Sequence, residues 1–167
     1  MIRSLLYIFI LLAYANTAYT DTRLKAPKGT VILTISGNIT HKNSPRGAEF
    51  DLAMLMALKQ TAIITETPWT EGLNEFQGPL ISEVLALVGA SGNTLNATAL
   101  NGYKVVIPLE EVRKNKLLFA LKKNNLLLRV RTRGPIWVIL PWTDQPSLMN
   151  NLHYTRAIWQ LRSIVIR

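Results

Sequence analysis

The sequence predicts an α+β domain, a mixed and mainly antiparallel β-sheet framework carrying a few short helices. The apolar and β-branched runs are short, turn residues separate them closely, and only two or three stretches show helical spacing of apolar residues. About eight strands and two or three helices result, with no internal repeat, low-complexity tract or linker.

Taken in order, Pro27 and Gly29 belong to a short leader, and Val31 to Ser36 reads as a strand closed by Gly37-Asn38. Pro45-Arg46-Gly47 marks a loop. Phe50 to Leu58 is apolar at helical spacing, with Asp51 placed to cap it. Thr61 to Thr65 is a β-branched strand that Pro68 stops. From Glu75 the chain gives a strand end, a turn at Gly78-Pro79 and a helix from Leu80 to Val88 ended by Gly89. Thr94 to Leu100 and Tyr103 to Pro108 form a hairpin around Asn101-Gly102, the strongest short hairpin signal in the chain. Leu117 to Leu121 and Leu126 to Val130 pair around Asn124-Asn125, and Ile136 to Leu140 and Ser163 to Ile166 are the last strands.

The first residues have the order of an export signal: Arg3, an apolar run from Leu5 to Ala13, then small residues at Ala13, Ala15 and Ala18. That run is short for a bilayer span, which needs roughly 20 apolar residues. Residues 1–18 are therefore expected to be a signal peptide, cut after Ala15 or Ala18, with an uncleaved membrane anchor as the alternative, and residues 19–167 a single exported domain. No stable membrane insertion is expected after cleavage. With no cysteine in an exported chain of 167 residues, stability must come from packing instead of disulfides.

The formal net charge is +9, densest between Arg113 and Arg133. Lys122, Lys123, Arg129, Arg131 and Arg133 have the spacing of a solvent-facing strand or hairpin. Nucleic-acid binding would interleave aromatics with such charges, and none is there. The two histidines, His41 and His153, lie far apart without a carboxylate at ligand spacing, and nucleotide and hydrolase motifs are absent. Neighbouring Glu110 and Glu111 point to different faces of a helix start. Asn38-Ile39-Thr40 and Asn96-Ala97-Thr98 match a glycan acceptor pattern that recurs by chance.

Aromatic residues at strand ends are the unusual feature. Trp69 follows a strand in Thr67-Pro68-Trp69-Thr70, Trp142 follows Pro141, and Trp159 lies near Arg156. A loop tryptophan can stack on a flat heteroaromatic ring while an arginine donates to its edge. Trp137 and Trp142 read as core; Trp69 and Arg156 stay open between packing and ligand contact.

Five blocks in order, Val31 to Ile39, Ala48 to Leu55, Thr67 to Leu80, Gly134 to Pro141 and Arg156 to Leu161, resemble the sulfite-oxidase molybdopterin-binding fold, particularly its small exported members. In the enzymes of that fold a cysteine thiolate binds molybdenum; here the corresponding stretch is Thr65-Glu66-Thr67-Pro68-Trp69 and the chain has no cysteine. Trp159 stands where those enzymes carry a cofactor-binding lysine. Gly102, Thr132 and the Asn124-Asn125 turn replace expected acidic residues or an Asp-Gly turn. The resemblance implies a periplasmic, non-catalytic protein that binds a pterin without molybdenum and relays the signal to the periplasmic portion of a membrane-bound cyclic-di-GMP enzyme. Trp69 and Arg156 are the implied ligand residues, with Thr67, Trp159 and Arg131 behind them. Two alternatives are an oxidoreductase holding molybdopterin through an oxygen of Thr65 or Glu66, and a ligand-free adaptor whose cleft is filled by its own side chains.

Overall fold

Leu33 and Ile35 alternate with more exposed neighbours, so Val31–Gly37 forms a half-buried strand, β1. The computed structural model describes residues 24–167, and the export segment expected at residues 1–18 lies outside the described residues. β2 (Ala48–Asp51) runs antiparallel to β1, setting Ala48 against Ile35 and Phe50 against Leu33. The helix expected from Phe50 therefore begins later, as α1 (Leu52–Ala57), because sheet pairing claims the backbone up to Asp51. Asp51 does cap it: the carboxylate accepts from Met54 N–H at 2.8 Å, and from Gly29 and Lys28 N–H at 2.7 and 2.8 Å. The Met54 bond first, then that of Gly29, holds this carboxyl below the ordinary aspartate value, against the opposing effect of burial.

β3 (Thr61–Thr67) turns through Pro68 and Trp69 into β4 (Thr70–Gly78), longer than the strand end expected at Glu75. α2 (Ile81–Leu87) buries Ile81, Val84 and Leu85, and Gly89 ends it in the left-handed region at φ 61°. β5 (Thr94–Ala99) and β6 (Lys104–Pro108) form the expected hairpin. Its turn spans Ala99 to Gly102, closed by Gly102 N–H donating to Ala99 O at 3.1 Å, with Gly102 at φ 85°. α3 (Leu109–Lys114) follows directly.

The pair expected around Asn124-Asn125 is split. β7 (Leu118–Ala120) leaves to pair with β10 (Trp137–Ile139), while β8 (Lys122–Lys123) and β9 (Leu126–Leu127) make the hairpin. The alternating basic strand ends there as well, since Val130–Thr132 is a 3-10 helix. The Thr132 hydroxyl accepts from Arg129 N–H at 2.9 Å, giving this backbone a local partner in place of a ladder. A second 3-10 turn (Pro146–Leu148), α4 (Asn151–Arg156) and β11 (Leu161–Ile166) complete the chain.

The described residues thus form an α+β structure with short helices. One five-stranded sheet has the order β2-β1-β11-β5-β6, parallel only between β1 and β11; a four-stranded sheet has the order β3-β4-β8-β9, and β10-β7 makes a two-stranded sheet. A single apolar core runs through all three, with Trp137, Trp142, Phe50, Phe76 and Phe119 among its largest members.

Candidate functional site

The site begins at the β3–β4 turn. Pro68 fixes the backbone, and the Thr67 hydroxyl accepts from Trp69 N–H at 3.2 Å and pairs with the Thr70 hydroxyl at 2.8 Å. This holds the Trp69 indole over the ends of β10 and α4. There it meets Trp159 at 5.3 Å between ring centroids, Trp137 at 6.0 Å, and Trp142 and Tyr154 each at 6.1 Å, mostly edge to face. All four tryptophans of the chain therefore meet at one place. Trp137 is anchored by its indole N–H donating to Ala157 O at 3.1 Å, and Trp142 is buried with its indole nitrogen unpartnered among the described residues.

Beside this cluster opens a cleft of about 420 Å³. Trp69, Trp159, Tyr154 and Tyr103 wall it, and Asn101, Asn151 and Thr155 bring polar groups. The β5–β6 hairpin supplies Tyr103, whose hydroxyl donates to Thr155 O at 3.1 Å, so the hairpin tip is tied to α4 across the cleft wall. Among the described residues no charged side chain lines the cleft. A cation stands close to it: the Arg133 guanidinium lies 5.2 Å from the Trp137 ring and 5.5 Å from that of Trp159.

Of the five ligand residues the resemblance implies, Trp69 and Trp159 come together as walls. Thr67 is buried behind them, where it shapes the turn and borders a smaller cavity of about 250 Å³ with Trp142 and Met149. Arg131 is exposed on the 3-10 helix and does not line the cleft. Arg156 turns the other way. Its guanidinium bonds the Glu111 carboxylate of α3, and His153 Nε2 approaches the same carboxylate at 3.4 Å. The side chains of Arg156 and Glu111 are 13% and 10% exposed, so this is a largely but not fully buried ion pair bracing α4 against α3. The other ring nitrogen of His153 lies 2.9 Å from Asn150 Oδ1, the cap of α4. Sequence spacing hid Glu111, forty-five positions from Arg156, and gave no sign of Tyr103 and Asn101 beyond the hairpin that carries them.

The oxygen ligands weighed for a metal do not fit one. The Thr65 hydroxyl is fully buried and already accepts from Thr143 N–H at 3.1 Å and faces the Thr143 hydroxyl at 3.2 Å. Glu66 is exposed, and among the described residues no group of three or more His, Asp or Glu side chains is placed to share an ion. Comparison with protein-family models and with curated proteins finds no match.

Proposed function

We propose that this protein is an exported, non-catalytic pterin-binding module of the sulfite-oxidase-like fold, which relays ligand binding to the periplasmic portion of a membrane-bound cyclic-di-GMP enzyme or a similar receptor. The observation that carries the reading is the uncharged aromatic cleft beside Trp69. Its volume of about 420 Å³ suits a small bicyclic ring, and pockets of this kind pair apolar walls with a few polar groups that fix orientation. Trp69 and Trp159 supply π faces, and the amides of Asn101 and Asn151 can both donate to and accept from the amide-like edge of a pterin. Thr67 acts through the turn that holds Trp69, and Arg156 through the helix that carries Tyr154. The donor set around Thr65 offers molybdenum no open ligand, so no step is assigned to a metal.

The hub position of Trp69 also favours an adaptor reading, in which the indole is a plug. Tyr103→Leu separates the two, because Tyr103 lines the cleft but is 45% exposed and outside the core. Titration of the purified exported protein with oxidised and reduced pterins, followed by tryptophan fluorescence and calorimetry, should give saturable binding that Tyr103→Leu weakens without unfolding the protein. Absence of heat and of fluorescence change with every pterin at high micromolar concentration would overturn the proposal and favour the adaptor.

A further inference from the structure

The β8–β9 hairpin and the 3-10 helix after it carry a surface that the cleft does not use. Lys122, Lys123, Arg129 and Arg131 lie within it, and the sequence has no acidic residue between Glu111 and Asp144. The same stretch leaves apolar side chains in water: Leu126 is 75% exposed, Val130 53% and Leu127 47%. Pairing sets Lys123 opposite Leu126 and Lys122 opposite Leu127, so each face of the ribbon carries a leucine beside a half-buried lysine, and Lys123 Nζ also donates to Asn74 Oδ1 at 3.3 Å. Arg129 and Arg131, both exposed, bracket Val130 in the same manner. Leu73 on β4, 61% exposed, lies next to Asn74, whose Oδ1 accepts from the hairpin-turn residue Asn124 at 2.9 Å. Against these cations β4 offers Glu75, whose Oε1 accepts from Gln77 Nε2 at 2.5 Å, and Glu71 near the far end of the strand.

Exposed leucines ringed by lysine and arginine are costly to leave in water and well matched to one environment, the boundary between headgroups and acyl chains of an anionic bilayer. We propose that this tip docks the protein on an anionic lipid surface, with Leu126, Leu127 and Val130 entering the interface and the flanking cations meeting lipid phosphates. The composition favours lipid over a protein partner. The stretch from Lys122 to Gly134 holds two lysines and three arginines, no acidic residue, and exposed leucine and valine side chains between the cations, the charge complement of an anionic headgroup layer. No helix among the described residues is long and apolar enough to cross a membrane.

Co-sedimentation of the purified exported protein with vesicles tests this directly. Binding is expected with phosphatidylcholine vesicles containing phosphatidylglycerol and not with phosphatidylcholine alone, and it should weaken as salt rises. Arg129→Glu with Arg131→Glu should lower vesicle affinity by about tenfold or more, since each basic residue near the surface contributes about fivefold. Leu126→Glu with Leu127→Glu should do the same, and far-UV circular dichroism should show both variants folded, because the altered side chains are exposed. Lys25→Glu with Lys42→Glu changes net charge as much as the arginine pair but lies outside the tip, and should cost less than about threefold. Three results would overturn the proposal. One is no sedimentation with either vesicle; another is an equal loss in the Lys25 and Lys42 variant, which means diffuse charge. The third is a protein that ignores vesicles and forms a dimer in analytical ultracentrifugation that the leucine variant abolishes.

Discussion

Asp51 shows how much one side chain can organise. Its carboxylate caps α1 and also gathers the incoming leader through Lys28 and Gly29, so three backbone donors converge on it. Those donors favour the ionised form in the folded state, which places its folded pKa below its unfolded one. As pH falls, the unfolded chain takes up the proton first, so the stabilisation is complete above the ordinary aspartate value of about 3.9 and is lost as pH drops through the lower folded value. Asp51→Asn should lower the melting temperature at neutral pH and flatten its decline under acid, measured by thermal unfolding over a pH series. Trp69 makes a second residue-scale case. It touches four other aromatic rings but is only half-buried, with one side open to the cleft, so Trp69→Ala should cost about 2 kcal/mol in chemical denaturation, less than the roughly 3 to 5 kcal/mol of a fully buried tryptophan. A fully folded, fully stable Trp69→Ala would mean that the cluster contributes little to the core.

Between elements, close approach and buried charge decide what the fold tolerates. Gly78 at the end of β4 lies against β7, and a Cβ there would stand 1.9 Å from Phe119 O, a backbone atom that cannot swing aside. Gly78→Ala should destabilise by at least the roughly 1 to 3 kcal/mol of an overpacked core position. Gly102→Ala meets open space and bears only the backbone strain of φ 85°, so about 1 kcal/mol is expected. The α3–α4 brace behaves differently. Glu111→Ala leaves the Arg156 guanidinium buried without its partner and should cost about 3 kcal/mol, part of which a second change, Arg156→Met, should restore in a double-mutant cycle by denaturant unfolding. These contrasts explain what could be read from sequence. The α1 cap, the β5–β6 hairpin and the α2 stop are local, each set by residues within a few positions, and the sequence states them. The brace joins Glu111 to Arg156 and the β7–β10 pair joins Leu118 to Ile139, both across long separations that no spacing rule reaches. The β9 strand is shortened because Thr132 bonds its neighbour Arg129, a competition between side chain and ladder that alternating charge alone does not reveal.

At the scale of the whole fold, β11, the last of the described strands, sits in the middle of its sheet. β11 lies between β1 and β5 in the five-stranded sheet, parallel to β1 with Thr34 opposite Ser163, and it buries Leu161, Ile164 and Ile166. Near its end, Gly37 approaches so closely that a Cβ would stand 2.1 Å from Ile166 O, while Gly92 is held against Arg167 O. Without β11, β1 and β5 would both become edges with apolar faces, and the β1–β2 pair would have no connection to the β5–β6 hairpin within that sheet. The walls of the cleft depend on the same closure, because Trp159 and Ile158 are positioned by backbone bonds such as Val138 N–H to Ile158 O at 2.9 Å and Leu161 N–H to Ile136 O at 3.0 Å. A chain stopped after Gln160 should therefore fail to reach the native state, showing no cooperative unfolding transition and rapid proteolysis, although most of its strands are already present. Pairing residues so far apart also has a loop-closure cost before any contact offsets it, so refolding of the intact chain should be slow for its size in stopped-flow fluorescence. A truncated chain that unfolds cooperatively, with its tryptophan emission still buried, would show that the aromatic cluster and the four-stranded sheet form a stable unit without the five-stranded sheet.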